Sequence, residues 1–142
     1  MAYENVNVSK LNTVLSSMSN IKQNAKKLQN FKNGISYGSW QGNTRTKIIK
    51  AMEKMIDLYN ELDSYVNDCK QATYYIYEYQ NLDSQNDKYN SKMNLENRKI
   101  KNADETEDTS DEESLVRMYK NKISNNNYKK SELMKKIENL IN

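Results

Sequence analysis

The sequence predicts an all-helical protein built on an antiparallel helical hairpin with an additional C-terminal helical tail, and three observations predict it. Proline is absent and all three glycines, Gly34, Gly38 and Gly42, fall in one short window, so the chain is broken sharply only once. Hydrophobic residues make up 36% of the chain against 29% charged, too few to fill a thick globule but enough to line one face of long helices. On both sides of the glycine window the apolar residues recur at three-then-four spacing, which places them on one side of a helix. With 142 residues, the chain has room for one ordinary domain or a small core plus a tail.

The first helix is expected over about 9–33, with a seam of Leu11, Val14, Met18, Ile21, Ala25 and Leu28, and Ile35 beyond a gap. Ser9 is the expected N-cap, its hydroxyl accepting from backbone N–H groups freed at the helix start. Gly34 is expected to end the helix in a left-handed conformation and to open a loop over 34–43.

The second helix is expected over about 44–83, starting at Asn43 or Thr44 as cap. Arg45 and Lys47 then lie in its first turn, where the helix dipole disfavours cations. Its seam is Ile48, Met52, Met55, Tyr59, Leu62, Val66, Cys69 and Ile76, with Thr73 the one polar member. Ile49 and Ile56 widen it on one flank, and Leu58, Tyr65, Ala72 and Tyr79 on the other. A stripe that broad exceeds a two-helix contact, so a further surface has to cover it. Folding the hairpin about its loop sets Leu11 opposite Val66 and leaves everything after about residue 70 overhanging, including Tyr74, Tyr75, Ile76, Tyr77, Tyr79 and Leu82. Burial of each such large side chain is worth roughly 1.5–3 kcal/mol, which argues that the overhang is covered too.

Residues 86–103 are polar and read as a helix extension or a linker. Seven of the ten residues in 104–113 are acidic, a self-repelling run that reads as a solvated linker. Within 114–142, two short helices are expected, one carrying Leu115, Val116, Met118, Tyr119 and Ile123, the other Leu133, Met134, Ile137, Leu140 and Ile141, separated by Asn125–Asn127. Neither is stable alone, so they pack back on the hairpin, with the tyrosine overhang as a seat, or fray.

Composition narrows the function classes. Histidine is absent and Cys69 is the only cysteine, which excludes Ser-His-Asp and Cys-His catalysis, Cys/His zinc clusters and an internal disulfide framework. Cys69 falls on the seam and reads as a small buried hydrophobe, a disulfide between subunits being the alternative. The acidic run lacks the central glycine of a calcium loop and has Leu115 where that loop needs Glu. Glu53, Asp57, Glu61 and Asp63 read as surface charge on a helix flank, so no enzyme activity, metal or cofactor is expected. The net charge is only +3. Lys129-Lys130, Lys135-Lys136 and the cluster Arg98, Lys99, Lys101 therefore read as solvated faces, with no nucleic-acid partner expected. The start, Met1 to Val8, carries no basic patch followed by an apolar run, and no stretch approaches the roughly 18 apolar residues of a spanning helix, so neither a Sec-type signal nor membrane insertion is expected.

Trp40-Gln41-Gly42, set between two amphipathic helices, resembles the W-x-G of the WXG family of early secreted antigens, and the resemblance covers residues 1 to about 85. It implies that the hairpin joins a second hairpin, identical or different, as a four-helix bundle, through Leu11, Val14, Met18, Ile21, Leu28, Ile48, Met52, Met55, Tyr59, Leu62, Val66 and Ile76. It also implies a chain that resides in the cytoplasm and is then exported, without a cleaved leader, through a type VII membrane ATPase complex. Trp40 would pack its indole over the hairpin end, as a core plug, a recognition element or both, and Gly42 would let the chain turn. The family's Tyr-x-x-x-acid export signal has matches at Tyr79/Asp83, favoured by position, at Tyr74/Glu78 and, in mid-helix, at Tyr59/Asp63. Because the chain runs far past the second helix, it is similar to longer members that accompany LXG toxins in Gram-positive bacteria, which makes a toxin's helical N-terminal region one expected partner. A reading from another class is a cytoplasmic or phage-type coiled-coil scaffold, with Trp40 as an ordinary core plug.

Overall fold

The computed structural model describes residues 3–37 and 42–142 and is all-helical: α1 (Val8–Ser17), α2 (Ile21–Tyr37), α3 (Asn43–Asn102) and α4 (Ser110–Ile141), with no strand among the described residues. The chain divides into two compact units, one of residues Asn7–Thr73 and one of Tyr74–Asn142 together with the N-terminal segment through Val6.

In the first unit, the helix expected over 9–33 runs in two pieces. Asn7, not Ser9, caps its start, its Oδ1 accepting from the Lys10 N–H at 2.9 Å. Short polar side chains then compete for the backbone around Ser16–Asn20: the Ser17 hydroxyl donates to the Val14 carbonyl at 2.6 Å, and the Met18 N–H turns to the Leu15 and Ser16 carbonyls, which ends α1. α2 starts at Ile21 and runs through Gly34, which is helical rather than terminal. Among the described residues, the one with a positive φ is Gly42, at 109°, and its carbonyl accepts the Thr46 N–H, the first bond of α3. The cap is therefore Gly42, one residue before Asn43. Arg45 overcomes the unfavourable dipole of its own first turn by reaching across to the end of α2, where Nε donates to the Ile35 carbonyl at 3.4 Å.

α2 and the 43–73 portion of α3 run antiparallel, tied by the Lys32–Glu53 ion pair at 3.4 Å. Between the helices lie Leu15, Ala25, Ile56 and Val66, all buried, with Ile49, Met52 and Tyr59 half-buried. Thr73 is 3% exposed and satisfies its hydroxyl on the Cys69 carbonyl at 2.7 Å.

In the second unit, residues 86–103 continue α3, and the chain returns antiparallel as one helix, α4, where two short helices were expected. Residues 103–109 connect α3 to α4 outside helix. The acidic run is part turn and part helix start: Asp111, Glu112 and Glu113 fill the first turn of α4, where the dipole favours carboxylates, as Lys99 and Lys101 fill the last turn of α3. The Asp108 carboxylate accepts from the Ser110 N–H at 2.9 Å, and that bond holds its pKa below the ordinary value.

α4 is continuous through Asn125–Asn127, where Asn126 and Asn127 bond across to α3 and Asn125 stays exposed. Asn126 and Asn86 are each 7% exposed. Asn126 Nδ2 donates to Asn86 Oδ1 at 3.0 Å, and Asn86 Nδ2 to Asn127 Oδ1 at 2.9 Å, a reciprocal layer that removes the desolvation penalty of either amide alone. Ile76, Tyr79, Val116, Leu133 and Ile137 make the apolar core around it, Ile137 having no exposed surface.

Two stability tests follow from this packing. Asn126→Ala leaves the buried Asn86 Oδ1 without its donor, while Asn86 Nδ2 keeps Asn127, and is expected to cost about 1–3 kcal/mol in urea denaturation, whereas an unchanged melt would show the layer to be solvated. Gly42→Ala forces a Cβ into a conformation that costs an L-residue about 1–2 kcal/mol, with a matching drop in stability expected although nothing lies within 4 Å of the new methyl.

Candidate functional site

The apolar stripe of α3 is too broad for the helices beside it, and the first unit shows where the excess goes. α1 and α2 cover the Ile49/Ile56 flank and the middle of the seam, Met52, Tyr59 and Val66. The other flank stays open: Met55 is 45% exposed, Leu58 65%, Leu62 42% and Tyr65 59%. Cys69, expected to be buried, is exposed at the end of the same row. The thiol sits one helical step outside the contact, because the helices meet along Ile56–Val66 and not along Leu62–Cys69. Phe31 of α2 lies beside this face, lining with Leu28, Met55 and Tyr59 an open groove of about 540 Å³.

The other expected interface residues divide in the same way. Leu11, Val14 and Met18 are exposed, while Ile21, Leu28 and Ile48 are half-buried against the hairpin. Ile76 belongs to the second unit and is buried there. Trp40 lies outside the described residues. Sequence reasoning placed Leu58 and Tyr65 only on a flank and passed over Phe31. The signal was available, since Met55, Leu58, Leu62, Tyr65 and Cys69 repeat at the 3-4-3-4 spacing of a coiled-coil seam.

The three tyrosine-acid pairs occupy different surroundings. Tyr59 and Asp63 are half-buried in the hairpin. Tyr79 is 2% exposed; its hydroxyl donates to Glu4 at 2.9 Å, its ring meets Tyr3 edge-on at 5.7 Å, and the Lys130 ammonium lies 4.4 Å from the ring centroid. Asp83 ion-pairs with Lys130. Burial, then the Glu4 carboxylate, push the Tyr79 hydroxyl pKa up. Burial alone would lower the Lys130 pKa, but Asp83 outweighs it and the net direction is up. Tyr74, by contrast, is 53% exposed, and its hydroxyl donates to Glu78 at 2.7 Å along the helix, which raises its pKa. The acids of all three pairs are half-buried, and Tyr74 is the one tyrosine of the three that is exposed.

The cover over Tyr79 includes a strap that sequence reasoning missed. Gln80 Nε2 donates to the Tyr3 and Val6 carbonyls at 2.8 Å each, so one side-chain amide holds a short turn whose Val6 N–H also bonds the Tyr3 carbonyl. Nothing in a periodicity reading marks such a contact. The basic pairs of α4 also have an internal use, with Lys130 over Tyr79 and Lys136 over Tyr75 at 5.3 Å. Among the described residues, no group of His, Cys, Asp and Glu is placed to hold a metal ion, and no helix is long and apolar enough to cross a membrane.

Fold and exposed face together define the class: an all-helical protein of two antiparallel helical units, one of which carries an uncovered apolar row. Comparison with protein-family models, with curated proteins and with solved structures finds no match for the chain.

The strap makes a pH prediction. Glu4 has its pKa lowered to about 2 from an ordinary 4.5, first by its own backbone N–H and also by the Tyr79 hydroxyl. A carboxylate depressed in the folded state contributes stability that is complete above its unfolded value and is lost as pH falls through the folded one. Nuclear magnetic resonance should therefore show the Tyr3–Tyr79 ring contact intact at pH 3 and lost near pH 2. Loss of the contact near pH 4.5 would show that the Tyr79 hydroxyl and the Glu4 backbone N–H do not hold the carboxylate in solution.

Proposed function

We propose that the protein is a substrate or targeting partner of a type VII secretion system, binding a second helical hairpin through the open face of α3, with the N-terminal region of an LXG toxin as one such hairpin. The observation that carries this reading is the uncovered row Met55, Leu58, Leu62 and Tyr65, large apolar side chains left in water on a hairpin whose turn ends in the positive-φ glycine of a W-x-G sequence. Contiguous exposed apolar surface on a small chain marks an interaction site. Tyr74, exposed and already hydrogen-bonded to the half-buried Glu78, belongs to the pair best placed for the export machinery to read.

The second unit favours one other reading. Its buried asparagine layer is a register-fixing device of coiled coils, and a cytoplasmic or phage-type scaffold would use it in the same way.

Secretion assays separate the two. In a strain with an active type VII system, the wild-type chain is expected in the culture supernatant and is expected to stay in cells lacking the ATPase. Leu58→Glu and Tyr74→Ala, both at exposed positions, should each reduce export while leaving helicity and cellular level unchanged. Retention of the wild-type chain in cells with the intact system would sink the secretion reading and leave the scaffold.

A further inference from the structure

The row on α3 has a symmetry that says what covers it. Ala51, Met55, Leu58, Leu62, Tyr65 and Cys69 are all exposed and follow one another at steps of 4, 3, 4, 3 and 4, the seam of a coiled coil. Read backwards, the steps are the same and so are the sizes: a small residue at each end and four large ones between. An antiparallel copy of the helix therefore sets Met55 against Tyr65, Leu58 against Leu62 and Ala51 against Cys69, large on large and small on small.

The charges beside the row obey the same symmetry. Lys54, Glu61 and Asp68 border it at intervals of seven. In the antiparallel arrangement, Lys54 of each copy comes opposite Asp68 of the other, giving two ion pairs, and Glu61 meets its own copy at the centre. A parallel copy instead places this charged border against Met52, Tyr59 and Val66 of the other chain, the edge already packed on α1 and α2, and forms no such pair. Self-complementarity of both shape and charge about one point is what a two-fold interface requires.

We propose that the occupant of this face is a second copy of the chain, with α3 lying antiparallel on α3 about a two-fold axis beside Asn60 and Glu61. This rests on the reading of the row as a docking face and names its partner. Central Leu58 and Leu62 are the anchors, Met55 and Tyr65 flank them, and the Lys54–Asp68 pairs fix direction. Glu61 is the one unfavourable neighbour, which keeps the pairing weaker than it would otherwise be.

Sedimentation equilibrium of the full chain from micromolar to millimolar concentration is expected to give a monomer–dimer equilibrium reaching twice the 16.7 kDa chain mass. Leu58→Glu should weaken association by at least about tenfold, with helicity by circular dichroism unchanged. Lys54→Glu should weaken it, and adding Asp68→Lys should bring it back, a rescue that loss of folding cannot imitate. Glu61→Gln should tighten it. Under mild oxidation, Ala51→Cys should form a covalent dimer through Cys69 of the other copy, while the wild-type chain, whose two Cys69 residues lie at opposite ends of the interface, does not.

A wild-type chain that stays monomeric overturns the proposal, and so does a Lys54→Glu/Asp68→Lys double variant as weak as Lys54→Glu alone, or a Cys69–Cys69 disulfide in the wild type. If the chain is monomeric and Leu58→Glu still abolishes export, self-pairing fails while the docking reading stands, with a different hairpin as partner. If the chain dimerises as described and is never exported, the pairing stands and the secretion reading fails.

Discussion

The structure turns on the breadth of apolar surface along α3. A helix that buries one narrow seam is satisfied by one neighbour, but α3 carries Ile49 and Ile56 on one side of its seam and Leu58 and Tyr65 on the other. No single helix touches both flanks. Within each unit, the outcome depends on what chain is at hand: α1 and α2 take the first flank before residue 73, and beyond residue 74 α4 and the segment at Tyr3–Val6 close over Ile76 and Tyr79. On the second flank of the seam the demand stays unfilled along the row from Met55 to Tyr65. At roughly 25 cal/mol per Å² of apolar area, leaving four large side chains half in water forgoes several kcal/mol, a large fraction of the stability of a small helical unit.

Polar groups decide how the second unit closes. Two helices with only aliphatic contacts slide and pair in several registers, because the hydrophobic term has no direction. Asn86 and Asn126 remove that freedom, since a shift by one turn would bury both amides without partners. Tyr89 stacked on Tyr119 at 6.0 Å, with Lys122 5.3 Å from the Tyr89 ring, and Lys130 and Lys136 on Tyr79 and Tyr75, repeat the same choice of partner along the contact. Lys122, Lys130 and Lys136 of α4 thus serve as lids on rings.

Much of this was legible in the sequence, and the misreadings have physical causes. Helical periodicity located α2 and the first half of α3 and showed that the α3 stripe was too wide, because a 3.6-residue repeat survives any tertiary context. It failed where side-chain chemistry competes with the repeat. The serines around Met18 break a helix that the apolar spacing runs straight through, and of the asparagines at 125–127, whose composition suggests a break, Asn126 is an interior residue of a continuous helix. Asparagine reads as a turn former because nothing local reveals that its partner, Asn86, waits 40 residues earlier. Gly34 was assigned the left-handed turn that Gly42 adopts; both have the required freedom, and Ile35, half-buried, makes one more helical turn worth forming. The acidic run was read through its self-repulsion, yet three of its acids sit where the α4 dipole offsets that repulsion.

The placement of the tyrosines connects these points to recognition. A signal read by another protein must offer its groups at low cost, and the cost of exposing Tyr79 includes the Tyr3 ring, the Glu4 and Gln80 hydrogen bonds and the Lys130 ammonium together. Tyr74 requires none of this: its ring is exposed and its hydroxyl already points along the helix to the half-buried Glu78. Position along the chain favoured Tyr79 and burial favours Tyr74, and burial is the stronger criterion, because binding energy spent on opening a packed core is lost from affinity. The same reasoning separates the two halves of α3. Where the apolar surface is already enclosed it specifies the fold, and where it is left in water it is free to specify a partner.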